Sequence, residues 1–153
     1  MFDSREMFDL GFAFLNSGEI NFHEGVIKQR SKYQNVAGVV NLALSCELFI
    51  KCLLNIAGKE SRGHKLESLW SEYKAICGNE ATAIESSVMN RLDTNFTFEE
   101  MLRDDNDVFY NYRYFYEPDL LAKIRNNPLR LQFLRVFAYS LYNYLYNKMV
   151  TSK

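Results

Sequence analysis

NVAGVVNLALSCELFIKCLLNIAG, residues 35–58, is apolar almost all the way round a helical wheel, which predicts a helix buried among other helices. Glu47 and Lys51 sit one turn apart in the middle of that run, with Glu on the N-terminal side, the favourable order for pairing along a helix. Burying them is costly unless other polar groups converge on them, so the fold has to bring partners to that point. The run is also long enough to cross a bilayer. Glu47 and Lys51 would each add roughly 2.5–3.5 kcal/mol to insertion, and Asn41 and Asn55 add to that penalty. The reading is a core helix of a soluble protein, with no membrane partner.

Outward from this stretch the pattern stays helical. Gly58 is a typical left-handed residue past a helix end. In HKLESLWSEYKAIC, residues 64–77, Leu66, Leu69, Trp70, Tyr73 and Ile76 share one face, and Gly78 ends the helix. Residues 79–92 place Ala81, Ile84, Val88 and Leu92 together, and Thr97 followed by Glu100 is a capping-box signature. Pro128 sits at the start of a long final helix, where proline is tolerated. That helix carries Leu134, Phe137, Ala138, Leu141 and Leu145 on one face, with Tyr139, Tyr142, Tyr146 and Arg135 on a flank. On the N-terminal side, Ser4 is a candidate cap for an amphipathic helix bearing Phe8, Phe12 and Leu15, with Ser17 and Gly18 as its stop. A looser helical piece is expected from Ile20 to about Tyr33, with a kink or loop near Gln34 and Asn35.

The chain has 153 residues, enough for one ordinary domain over 1–153, and only seven glycines and two prolines. Scarce breakers favour an all-α fold, an up-and-down bundle of four to five helices with short connections. Cys46, Cys52 and Cys77 lack metal-ligand spacing and read as reduced core thiols of a cytoplasmic protein. MFDSREMFDL at the N-terminus lacks a basic-then-apolar export pattern. His23 and His64 are too far apart for a metal site, so neither metal nor cofactor is expected. His23 reads as a surface residue, and His64 as a cap of the following helix or a partner of the Trp70 indole.

The formal net charge is −1, unevenly distributed. Residues 1–119 hold twelve basic and nineteen acidic side chains, whereas Lys123, Arg125, Arg130, Arg135, Lys148 and Lys153 follow with no acid among them. Such a split suits either a polyanion surface or a solvated basic helix. NDVFYNYRYFYEPD, residues 106–119, surrounds Arg113 with Tyr110, Tyr112, Tyr114 and Tyr116. Aromatic rings beside a guanidinium can stack on bases, and the same composition fills cores and interfaces. Both readings stay open there; the tyrosines of the final helix read as core or dimer interface. Arg113, with a planar fork that binds carboxylate bidentately, is the expected third partner of Glu47 and Lys51.

Taken together, the Glu-x-x-x-Lys of Glu47 and Lys51, the GHKLESLW of residues 63–70, the RYFYE of residues 113–117 and the aromatic-rich final helix resemble the HEPN family, named for higher eukaryotes and prokaryotes nucleotide-binding. The resemblance covers roughly residues 35–145 and implies a helical bundle that dimerises. It also implies RNA or nucleotide binding, within toxin–antitoxin, phage-defence or RNA-processing systems. Ligand contacts would then fall to Glu47, Lys51, Arg113, Tyr110 and Tyr114. Active members are metal-independent ribonucleases with an arginine, a short spacer and a histidine. Here Arg113 matches the arginine, but no histidine follows it, and a cleaving version would need Tyr116 or Glu117 in that role. The rival is a catalytically inactive protein–protein interaction or assembly module that keeps only the bundle.

Overall fold

A computed structural model of the chain describes residues 3–24, 32–105 and 128–151. Those residues are all-helical, in six helices: α1 (Ser4–Phe22), α2 (Lys32–Ile56), α3 (Leu66–Ile76), α4 (Gly78–Met89), α5 (Phe98–Asp105) and α6 (Pro128–Thr151). The all-α class is therefore as expected, with six described helices where four to five were anticipated. Helix α2 contacts α1, α3 and α6, while α6 also contacts α1, α4 and α5. Between them α2 and α6 form the spine on which the others lie.

Helix α2 buries Leu42, Cys46, Phe49, Ile50, Cys52, Leu53 and Leu54, which point to several sides of the helix, as its all-round apolarity requires. It starts before the anticipated junction, so Gln34 and Asn35 lie within it and no loop separates them from the core stretch. Its C-terminus closes in a Schellman motif: Lys59 N–H donates to Leu54 O at 2.9 Å and Gly58 N–H to Asn55 O at 3.0 Å. Gly58 has φ +82°, the left-handed conformation anticipated for it. Among the described residues one helix window, Val36–Ile56, is apolar and long enough to cross a membrane, with mean hydropathy 1.8, and 67% of it is buried inside the bundle.

Two expectations for α1 are corrected. Asp3 is the cap, its carboxylate accepting from Arg5 N–H at 2.7 Å; Ser4 begins the helix, and its hydroxyl accepts from Asn55 Nδ2 at 2.6 Å. Gly18 does not stop α1, which runs on to Phe22, because that glycine serves packing. A Cβ at Gly18 would lie 2.7 Å from Leu42 Cδ2, and one at Gly11 would lie 2.7 Å from Phe49 Cε1. These two positions, two turns apart on one face, let the α1 backbone approach α2 closely. Ser45 uses that closeness, donating its hydroxyl to Gly11 O at 2.8 Å. Gly18→Val should cost about 1–3 kcal/mol of stability through overpacking. Gly78→Ala, where a Cβ meets nothing within 4 Å, should be neutral or stabilising. Urea unfolding of the two variants measures the contrast.

The faces read for α3, α4 and α6 are largely as anticipated. Leu66, Leu69, Trp70 and Tyr73 are buried, as are Ala81, Ile84 and Val88, and Leu134, Phe137, Ala138, Leu141 and Leu145. Ile76 departs from this: it lies in the last turn of α3, where the helix leaves the core, and it is exposed. Helix α4 ends at Met89, before Leu92. The capping box of α5 is formed reciprocally, Thr97 N–H to Glu100 Oε2 at 2.7 Å and Glu100 N–H to Thr97 Oγ1 at 3.2 Å. None of the three cysteines is in a disulfide. Burial pushes the Cys52 thiol up to about 12, so it stays protonated and donates to Ser4 O at 3.2 Å.

Candidate functional site

Glu47 is set in α2 with its back to the core and is 8% exposed. One turn on, Lys51 Nζ donates to Glu47 Oε1 at 2.8 Å, the pair that the spacing requires. The Gly58 turn then reverses the chain, and the segment before α3 returns His64 to the same carboxylate, Nδ1 to Oε1 at 2.9 Å. A carboxylate has only acceptor capacity, so the His64 proton in this bond sits on Nδ1. In the neutral ring that leaves Nε2 as a free acceptor. The His64 side chain is 60% exposed, against 15% for Lys51 and 10% for Glu47. The cluster is therefore graded: a buried acid holds a largely sheltered ammonium and an exposed imidazole in fixed relation. Such an arrangement can accept a proton, or contact a phosphate oxygen through the Lys51 ammonium and, when the ring is protonated, through His64 Nε2–H.

The third partner anticipated for Glu47 and Lys51 was Arg113; the group found on the carboxylate is His64. Arg113, Tyr110, Tyr114, Tyr116 and Glu117 lie outside the described residues. The role read for His64 is also corrected. Lys65 occupies the cap position of α3 with no side-chain capping bond, and Trp70 packs on Tyr73, Phe98 and Phe137 while donating to Glu85 at 2.8 Å. The available sequence signal was the short connection between Gly58 and Leu66, which keeps His64 near the C-terminal half of α2.

The basic C-terminal third is only partly described, and two of its cations, Arg135 and Lys148, are engaged with carboxylates. Arg135 grips Glu19 of α1 with two guanidinium nitrogens, Nη2 to Oε2 at 3.1 Å, and lies over the Phe22 and Tyr139 rings. The bond to Glu19 raises its proton affinity further. Lys148 reaches Glu80 at 3.1 Å. Glu80 also accepts from Tyr73 Oη at 2.7 Å, and the Tyr144 and Tyr73 hydroxyls hold its carboxyl below the usual range. Tyr142 stacks between Phe8 and Phe12, at centroid distances of 5.5 and 5.0 Å. These tyrosines do packing work, in line with the core reading. Among the described residues no group of three His, Cys, Asp or Glu side chains is placed to hold a metal ion.

No family model, curated protein or solved structure matches the chain.

Proposed function

We propose that this chain is a HEPN-like helical domain that binds RNA or a nucleotide-like ligand beside the Glu47, Lys51 and His64 cluster, with Arg113 as a further phosphate contact. The observation that carries the reading is the buried Glu47 carboxylate, which fixes an ammonium and an exposed imidazole side by side on the C-terminal half of the core helix. A purely structural acid would not need an exposed histidine as its second partner. In the cleaving form of this reading, which uses no metal, His64 Nε2 takes the proton of a ribose 2′-hydroxyl as its oxygen bonds to phosphorus, the bond from phosphorus to the 5′-oxygen breaks, and Tyr116 or Glu117 in its protonated form gives the leaving oxygen a proton. Toxin–antitoxin or phage-defence systems are the setting implied by the same resemblance. Self-association belongs to it too: Phe12 and Tyr146, 38% and 49% exposed, carry the buried aromatic stack out to the surface.

Binding of labelled single-stranded RNA by wild type, His64→Ala and Arg113→Ala across a salt series tests the reading. Affinity should fall with salt, and each variant should bind more weakly, with a log–log slope reduced by about one for each phosphate contact removed. Cleavage that persists in EDTA and disappears in His64→Ala would make the site catalytic. If folded wild type fails to bind, the RNA reading is wrong. The interaction-module reading then stands, favoured by the engagement of Arg135 and Lys148 with carboxylates.

A further inference from the structure

We infer that anion binding at the Glu47 cluster is coupled to proton uptake by His64, which makes the site a pH-controlled switch for phosphate. The inference rests on the reading of that cluster as a phosphate-contacting site. The first observation is a fixed tautomer. His64 Nδ1 lies 2.9 Å from Glu47 Oε1, and a carboxylate only accepts, so Nδ1 carries the proton. An unrestrained neutral imidazole can place its single proton on either nitrogen, and so can offer an N–H to a phosphate. His64 has lost that choice, because moving the proton to Nε2 sets the bare Nδ1 lone pair against a carboxylate oxygen. The neutral ring therefore has only an acceptor left at Nε2, and an acceptor repels a phosphate oxygen. Nε2 becomes a donor only when the ring holds both protons.

The second observation is the charge around the ring. Glu47 Oε1 also accepts from Lys51 Nζ at 2.8 Å, so with a neutral ring the acid and the ammonium cancel. Protonation gives the cluster one positive charge, on its most exposed member. The elements beside the ring bring Lys59, Glu60, Arg62 and Lys65 on the connection, Glu67 and Glu72 on α3 and Arg103 on α5. Lys59 pairs with Glu72 at 3.2 Å and Arg103 with Glu67 at 3.7 Å. Side chains of these types ordinarily keep their charge between pH 6 and 8, whereas histidine is the type that changes. An anion at Nε2 favours the charged ring, so binding takes a proton from solution and affinity falls as the pH rises. In the cleaving form the same proton separates two tasks: the charged ring holds phosphate, and the neutral ring is the base.

Calorimetric titration of the full chain with oligouridylate, in buffers of different ionisation heat, counts the protons taken up. Wild type should take up a fraction of one proton per site and bind about threefold or more tighter at pH 6 than at pH 8. His64→Asn keeps an N–H donor for Glu47 but lacks the outer nitrogen, and should show neither uptake nor pH dependence. Glu47→Gln frees the tautomer, because its amide can accept from Nδ1–H or donate to a bare Nδ1, and should cut the pH ratio by about twofold or more. A merely structural Glu47 would leave that ratio unchanged. His23→Gln changes the chain's other histidine, past the far end of α1, and should behave as wild type. Thermal melts verify that the variants fold, and the proton count on wild type needs no variant. Binding by wild type without proton uptake, or uptake that persists in His64→Asn, would overturn the coupling and leave the phosphate site standing. Absence of binding at both pH values would remove that site, and the coupling with it.

Discussion

Phe137→Ala should cost about 3–5 kcal/mol and lower the melting temperature of a chain this size by roughly 6–20 °C. Phe137 is fully buried on α6, where three aromatic neighbours meet it. Trp70 of α3 and Phe98 of α5 stand edge-on, at centroid distances of 5.2 and 5.1 Å, and Phe133 stacks at 5.7 Å. Truncation removes the ring around which α3, α5 and α6 are joined and leaves a cavity that its rigid aromatic neighbours fill only in part. The loss therefore combines burial, edge-to-face contacts and an unfilled cavity. Urea unfolding should show a lower midpoint with an unchanged slope, as for a purely energetic change. A loss below about 1 kcal/mol would mean that the aromatic cluster relaxes freely and that Phe137 is not its centre.

Glu47→Ala ranks next. It deletes the common acceptor of Lys51 and His64 and leaves an ammonium only 15% exposed without its partner. Breaking a buried pair by removing one member costs about 3–5 kcal/mol where neither charge can escape. Lys51 has a long stem and some exposure, so about 2–3 kcal/mol is the expected loss here. Glu47→Ala combined with Lys51→Ala should recover part of it, with a coupling of about 0.5–3 kcal/mol. His64→Ala alone should cost less than about 1 kcal/mol, given the exposure of the ring. That ordering gives the RNA experiment its force: a His64 variant that keeps its stability and loses binding places the histidine's work at the ligand.

Local periodicity carried most of the fold. The core faces of α2 and α6, the capping box at Thr97 and Glu100 and the turn at Gly58 are written within short windows, where burial and capping leave their marks. Gly18 shows where that reading ends. Beside Ser17 it has the composition of a stop, yet its lack of a side chain serves Leu42, a contact that becomes visible only when α1 and α2 lie together. Arg135 is similar: a basic residue on a tyrosine flank looks available for phosphate until Glu19, 116 positions away, claims it. At the candidate site the Glu47 and Lys51 pair was legible because its partners share one helix. His64 was not, because its bond depends on how the chain turns after Gly58.

The apolarity of α2 has a consequence for the chain before it is folded. A segment from Val36 to Ile56 that is greasy enough for a bilayer is covered chiefly by α1 and α6 among the described helices, and α6 lies far downstream of it. During synthesis α1 can shield one side as soon as it emerges, but Phe137, Leu141 and Leu145 appear only after more than eighty further residues have been made. For that interval the nascent protein presents the kind of surface that chaperones and membranes capture. Damage to the α2–α6 seam therefore threatens yield in the cell as well as stability in the tube, and C-terminal truncation should send the chain into aggregates or onto lipid.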